Sequence, residues 1–335
     1  MAVTTTSPQM PDAVATQATP AEDLHPFSND GWSDVDSAVE DLQSRYTQSL
    51  TPSVCDFPVE HGRRYHALRP GNYAMPNDEP ELARLDLMHE IMTRTLGDRL
   101  FLTPIETQKV NRVLDLGTGT GIWAIDYAER FPNAEVLGND LSPIQPRWLP
   151  SNVRFVVDDI EAPWVHRHKF DFIFSRYLTA AIKDWPTLVK SAYENLDPGG
   201  WVEFQDFDLE MYVDGDEYPE AKSATLEWDK LVLGAARRIG REPCPGPKLE
   251  DWVREVGFTN VTHRTFRIPV GGWPESPHLQ EVGFLYLAQT LDGLEAFSLR
   301  LMCDVLEWKV EDVQKLLEKV RTELLSGRQR LYMNL

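Results

Sequence analysis

The residues best placed to do chemistry lie in the stretch VLDLGTGTG, Val113 to Gly121. A glycine-rich turn at the carboxyl end of a strand lets a ligand approach the backbone where a Cβ would collide, and this argues for a nucleotide-like ligand. The glycines stand at 117, 119 and 121, and position 122, where a dinucleotide fingerprint needs its third glycine, is Ile122. Asp115 precedes the first glycine by two residues, so its carboxylate can accept hydrogen bonds from an ammonium group or from backbone amides and would repel a pyrophosphate. Both features argue against a nicotinamide dinucleotide. Asp140 lies nineteen residues past Gly121, at the end of the next strand-like run, where a carboxylate can accept both ribose hydroxyls. Asp158 and Asp159 follow a third run and precede Ile160, an arrangement that lets a carboxylate accept from an adenine amino group while the neighbour packs on the ring. The set describes a pocket for an adenosine that carries no phosphate.

These residues need a scaffold, and the surrounding pattern supplies one. Near-continuous apolar runs at Val110 to Gly117, Ala134 to Asp140, Val153 to Val157, Phe170 to Ser175 and Gly200 to Phe207 alternate with helical stretches at Thr120 to Phe131 and Trp185 to Leu196. Strands buried on both faces read this way, so the expected fold is α/β, a Rossmann-like, doubly wound and mostly parallel sheet. Before it, a short helix is expected over 32 to 52, an ordered loop over Glu60 to Asn77, and a helix opened by Pro80 with Leu82, Leu85, Met88, Ile91 and Met92 on one face. After it come a helical stretch near 217 to 240, a strand at FTNVTHRTFRIP (Phe258 to Pro269), and two or three helices from Leu279 to about Leu325. The last of these carries Val310, Val313, Leu317, Val320 and Leu324 on its buried side.

The ordered set VLDLGTGTG, GNDLSP, FVVDDIEAPW, FDFIFSRY and LDPGGWVEF resembles the class I S-adenosylmethionine-dependent methyltransferases over about Leu102 to Phe207. The upstream loop HGRRYHALRPGNYAMPNDEPELARLDLMHE is similar to a narrower group, the fungal methyltransferases related to LaeA, the velvet-complex regulator of secondary metabolism. The resemblance implies S-adenosyl-L-methionine as cofactor, with contacts at Asp115, Gly117, Thr118, Gly119, Asp140, Leu141, Asp158, Asp159, Ile160 and Arg176. It implies that Tyr65, His66 and Tyr73 close over cofactor and acceptor, and that Tyr177 faces the reaction space with Arg176. The expected N- and C-terminal helical caps divide the chain into a tail over 1–30, a cap and lid over 31–105, a cofactor-binding core over 106–270 with a helical insert over 212–250, and a C-terminal cap over 271–335. Members of this class usually end on a long last strand. Here the text stops at GRQRLYMNL, so the seventh strand is expected to be short or missing, which leaves the sheet edge open to a homodimer.

With a sulfonium methyl donor the protein mainly holds the acceptor's lone pair in line, about 3 Å away, and excludes water. An oxygen acceptor also loses a proton, and His66, Glu203 and Asp206 are the candidate bases. Eight acids and no base fall between Glu203 and Glu220, read as a solvated acidic loop or as a field favouring a cationic acceptor. His166 and His168 lack a third ligand nearby, so they are expected as exposed loop residues and no metal is expected. Trp123 and Trp201 are expected to fill the core.

Composition narrows the partners. The 53 acids and 33 bases leave a net charge of −20, a surface that repels phosphate backbones and anionic lipids, so nucleic acid and membrane are not expected. The longest apolar runs, such as LVLGAA, are far shorter than the roughly 20 residues a membrane span needs. Residues 1 to 44 hold no Lys or Arg, unlike secretory or mitochondrial leaders, and the three scattered cysteines suit a reducing compartment. The expectation is a cytoplasmic fungal enzyme that methylates an O or N atom of a small-molecule acceptor. The alternative is a nuclear, LaeA-like regulator acting through protein partners.

Overall fold

A computed structural model describes residues 55–215 and 223–335 apart from Pro70 and Asn72. The tail over 1–30 and the helix over 32–52 lie outside the described residues. Strands β1 (Val59–Glu60) and β2 (Arg63–Arg64) form a small hairpin, and helix α1 runs over Glu79–Thr95. Asp78 caps α1 by accepting from the Glu81 amide, Pro80 sits in the first turn, and Glu79 and Glu81 face the positive end of the helix dipole.

The central sheet contains β3 (Arg112–Leu116), β4 (Glu135–Asp140), β5 (Val153–Val157), β6 (Phe170–Arg176) and β7 (Leu196–Gln205) in the order β5-β4-β3-β6-β7. Every pairing is parallel. Alternation sends successive residues of β3 to opposite faces. Val113 joins Trp123 and Tyr127 of α2 (Ile122–Arg130) together with Phe172 and Phe174 of β6. Leu114 and Leu116 join Trp185 and Leu188 of α3 (Trp185–Glu194) and Leu249 of α5 (Gly246–Val256) on the other side. Trp123 stacks on Phe174 at 3.7 Å, and Trp185 stacks on Trp252 at 5.9 Å. Helices on both faces of a parallel sheet make this a doubly wound fold.

The run expected as one strand through Phe207 breaks at Asp206 and Phe207 and resumes as β8 (Asp208–Val213), which leaves the parallel sheet. A second, antiparallel sheet orders β8-β10-β9, with β9 at Arg267–Val270 and β10 at Leu331–Asn334. The strand expected over 258–269 is therefore reduced to β9 and belongs to this second sheet. Thr259, Asn260, Thr262, His263, Arg264 and Thr265 offer no apolar face, and the segment before β9 is largely exposed. The chain's last strand is short, four residues long, and the parallel sheet ends at β7.

Helices α4 (Ala224–Arg238), α6 (Pro277–Arg300) and α7 (Val310–Ser326) complete the fold, a π-helical turn over Leu301–Val305 following α6. A separate apolar core joins Met88 and Ile91 of α1 to Phe207, Ile268, Tyr286, Val313, Val320 and Leu331. The cap over the sheet's carboxyl edge thus draws on both ends of the described chain. Its docking is close: the Gly271 amide donates to the Gly283 carbonyl inside α6 at 2.9 Å, and a Cβ at Gly283 would stand 2.1 Å from the Gly271 oxygen. The acid-rich stretch is not a solvated loop in its described part, since Asp206 and Asp208 are buried; Asp216, Glu217 and Glu220 lie outside the described residues. Nor is His166 an exposed loop residue, because its ring packs edge-on against Phe170 at 5.0 Å.

Two glycine substitutions separate close approach from helix propensity. Gly283→Ala should destabilise the fold by about 1–3 kcal/mol through overpacking against backbone. Gly234→Ala in α4, where a Cβ meets nothing within 4 Å, should stabilise it by about 0.5–1 kcal/mol. Urea-unfolding midpoints check both, and equal shifts in the two variants would contradict the packing described.

Candidate active site

A cleft opens at the carboxyl ends of β3, β4, β5 and β6, under α1 and the loop that follows β2. Gly121 ends the glycine turn in a left-handed conformation (φ +81°) as the N-cap of α2, and a Cβ there would lie 2.4 Å from the Phe155 ring. The turn holds the backbone against the ligand space. Register then sets the acids: β3 runs beside β4 with Asp115 opposite Gly138, so Asp115 and Asp140 border the same cleft from adjacent strand ends.

Asp115 is buried, and its Oδ2 accepts from Thr118 Oγ1 at 2.5 Å. Burial pushes its carboxyl up to about 7, with the Thr118 hydroxyl and the Arg176 guanidinium acting in the opposite direction. Asp140 accepts from the Gly119 amide at 2.9 Å and from the Ser142 amide at 3.0 Å, and desolvation still raises it to about 6. Asp158 caps the Asp159 amide at 2.8 Å and is also pushed up by burial. Asp159 accepts from the Glu161 amide at 2.9 Å, and its other oxygen pairs with Arg69 Nε of the overlying loop at 3.0 Å. Gly117, Thr118, Leu141 and Ile160 line the same cleft. Asp159 thus has a guanidinium partner, whereas Asp115 and Asp140 are held by hydroxyl and amide donors, and these two suit a ligand bringing its own positive charge.

Arg176 reaches the cleft wall with its donors already committed to Gln205 Oε1 (2.8 Å), His89 Nδ1 (3.1 Å), Thr93 Oγ1 (3.3 Å) and the Leu100 carbonyl (2.8 Å). Burial lowers its guanidinium to about 10. Tyr73 and Tyr177 line both this cleft and a second chamber behind it, which is walled by Trp228, Val232 and Leu233 of α4 and by Tyr286 and Phe297 of α6. Tyr177 adopts φ +61°, a conformation rarely paid for outside functional or tightly held turns. Its hydroxyl accepts from Arg84 Nη1 at 3.4 Å, and Arg84 is itself held by Glu81 in a buried bidentate pair (2.6 and 2.9 Å). His66 is buried in the cleft, and its Nε2 lies 3.4 Å from the Arg69 carbonyl.

Three expected site residues are placed elsewhere. Tyr65 turns away from the cleft beneath the Arg300 guanidinium, 4.5 Å over its ring, because neighbouring residues of an extended segment point to opposite sides and His66 takes the inner one. Glu203 is no free base: its carboxylate accepts from the Leu102 and Thr103 amides, the Thr103 hydroxyl and Gln205 Nε2, behind the cleft. Asp206 accepts from the Leu178 and Phe207 amides and so holds the turn carrying Tyr177; it does not border the cleft.

Sequence reasoning missed several residues of the site. His89 lies on the helical stripe of Leu85 and Met92, a signal that was legible. Arg241 and the chamber residue Asp229 sit in or after α4 and carry no local motif. Burial raises Asp229 to about 7, against the Met211 amide that it accepts from at 3.1 Å. Among the described residues no group of three or more His, Cys, Asp and Glu side chains is arranged to hold a metal ion.

Comparison with known proteins agrees with this geometry. The pattern of the methyltransferase-domain family matches residues 88–263. Methyltransferase pytC of Aspergillus terreus is 46% identical over 294 residues, 87% of this chain and 90% of that protein. The secondary metabolism regulator LAE1 of Cochliobolus heterostrophus is 35% identical over 283 residues, 83% and 92% of the two chains. The protein-methionine methyltransferase laeA of Emericella nidulans is 32% identical over 279 residues, 80% and 71%. The chain belongs to the class I S-adenosylmethionine-dependent methyltransferases and, within them, to the LaeA-like family.

Proposed function

We propose that this methyltransferase acts on an O or N atom of a small molecule in fungal secondary metabolism. The observation that carries the reading is the aromatic chamber behind Tyr73 and Tyr177, which continues the cleft inward between α4 and α6. An inward, largely apolar chamber with a few polar groups suits a small acceptor. The 46% identity with a protein named as a methyltransferase supports the same reading.

S-adenosylmethionine supplies a methyl group on a positively charged sulfur, electrophilic without further activation. The chain's own residues bind and orient. Asp115 offers a carboxylate to the cationic amino-acid end, Asp140 to ribose hydroxyls, and Asp159 with Ile160 to the adenine. Tyr73 and Tyr177 stand between cofactor cleft and chamber, where an acceptor atom would meet the methyl group, and the cap excludes water. His66 is the one candidate base that borders the cleft. The proposal includes a cytoplasmic location, in keeping with three free cysteines.

A second reading, a nuclear protein acting through protein partners, is supported by the 35% identity with the secondary metabolism regulator LAE1 of Cochliobolus heterostrophus. A mass shift of one methyl group on a candidate fungal secondary metabolite supports the first reading. Stable protein partners without turnover on those metabolites support the second.

Two binding measurements test the cleft. Asp140→Ala should weaken S-adenosylhomocysteine binding by about 1–3 kcal/mol in calorimetry, through loss of a charged acceptor. Unchanged affinity would remove the ribose assignment. Protonation supplies the other. With its carboxyl near 7 in the free protein, Asp115 loses its charge as pH falls, so affinity for S-adenosylmethionine should drop between pH 8 and pH 6. Stability of the free protein moves the other way. The folded state holds this proton more tightly than the unfolded chain, so Asp115 adds stability as pH falls from about 7 toward 4, at most about 1.4 kcal/mol per pH unit. Asp115→Asn should flatten the affinity trend and reduce, without abolishing, the stability trend, because Asp140 and Asp229 are raised into the same range; a variant that keeps the wild-type pH dependence of affinity would refute the role given to this carboxyl.

A further inference from the structure

One acid of the acceptor chamber is left without a role by the methyl-transfer reading. Asp229 stands on α4 at the helical spacing of Val232, Leu233 and Ala236, and all four line the chamber. It is a carboxyl on the apolar face of a helix, 5% exposed, and it borders the chamber but not the cofactor cleft. Its Oδ2 accepts from the Met211 amide of β8 at 3.1 Å. Oδ1 has no hydrogen-bond partner among the described residues, and it is not sealed away from open space. A carboxylate accepts up to about four hydrogen bonds, so most of this one's capacity is left for a ligand.

The charges of the chamber do not balance. Arg84 also lines it, but Glu81 holds that guanidinium in the bidentate pair described above, and its Nη1 is committed to Gln289 and Tyr177. Asp229 has no such counter-ion. Burial raises its carboxyl; the Met211 amide and Arg237 oppose that, while Glu210 and Asp208 add negative charge. Arg237 is exposed, and its Nη2 turns to Cys244 Sγ at 3.4 Å. One negative charge is therefore uncompensated in a largely apolar chamber, and a ligand of opposite sign relieves it.

We propose that the methyl acceptor is a small molecule carrying a basic amine, which Asp229 Oδ1 holds as the ammonium while a different atom of the molecule meets the methyl group between Tyr73 and Tyr177. The inference rests on the methyl-transfer reading above and deepens it by naming the substrate class and a residue that selects it. An ammonium brings both the missing charge and the missing donors. A neutral hydroxyl would give Oδ1 a hydrogen bond and leave the charge; a carboxylate would add a second negative charge. Trp228 and Tyr286, among the chamber's walls, offer aromatic surface that also favours a cation, and the indole is fixed by Nε1 donating to Ser298 Oγ at 2.7 Å. The amine is a handle and not the reacting atom, because a nitrogen protonated against a carboxylate has no lone pair to give to the methyl carbon.

The test titrates the full chain, bound to S-adenosylhomocysteine, with phenethylamine, phenethyl alcohol and phenylacetate, which share a phenyl ring on a short chain and differ in charge. Calorimetry should show phenethylamine binding about tenfold tighter than phenethyl alcohol, with phenylacetate weakest. Asp229→Asn keeps an oxygen for the Met211 amide and removes the charge. It should bring phenethylamine to within about twofold of phenethyl alcohol and change S-adenosylhomocysteine affinity less than about twofold. Phenethyl alcohol or phenylacetate matching phenethylamine, an amine preference that survives in the variant, or binding of none of the three overturns the proposal. Where the variant fails to fold, a crystal of the wild-type complex decides: the amine nitrogen should lie about 3 Å from Asp229 Oδ1, and a nitrogen placed elsewhere overturns the assignment. Failure of the wild type to bind S-adenosylhomocysteine would instead overturn the methyl-transfer reading itself.

Discussion

Desolvation of carboxylates at the carboxyl edge of the parallel sheet is the constraint on which the rest of the structure turns. Asp115 and Asp140 occupy strand ends fixed by the β3–β4 register, and the cap removes the water that would stabilise their charge. The Arg176 guanidinium, whose charge acts on Asp115, spends its donors on Gln205, His89, Thr93 and the Leu100 carbonyl. The cleft is thus electrostatically incomplete in a specific sense, and an incoming sulfonium and ammonium complete it. The glycine turn, the strand order and the cap all serve that one arrangement.

The cap is held by chemistry of a different kind. Glu81 and Arg84 form a bidentate ion pair inside the α1–α6 contact, and Arg84 also donates to Gln289 at 3.0 Å and lies 4.8 Å over the Phe297 ring. A buried pair contributes little net stability but is costly to break, so its value is to fix which groups meet. Here it fixes α1 against α6 beside Tyr177, whose positive φ is further held by Asp206 beneath the following turn. The acceptor chamber therefore owes its shape to residues far apart in the chain.

The parallel sheet was legible because its strands are buried on both faces and read as apolar runs, and the cleft because glycine spacing and strand-end acids are local signals. The second sheet was not. Its strands are short, their partners lie up to about a third of the chain away, and Thr259 to Thr265 holds strand-like residues that are mostly polar and exposed. Glu203 and Asp206 show the limit for polar residues, since their positions near the strand end were readable but their saturation by backbone amides depends on loops brought in by the fold. Tyr65 and His66 differ only in which side of an extended segment each takes. Arg241 and Asp229 had no motif to announce them, because they matter only through cavities assembled by tertiary packing.

The loop residue Arg69, itself at φ +51°, reaches Asp159 from the segment that follows β2. A nucleobase that engages this carboxylate must share it with a guanidinium tethered a short way off, at an effective concentration that no dilution lowers. With Asp159 assigned to the adenine as proposed above, the arginine would be a built-in competitor for that carboxylate, present whether or not a nucleoside is bound.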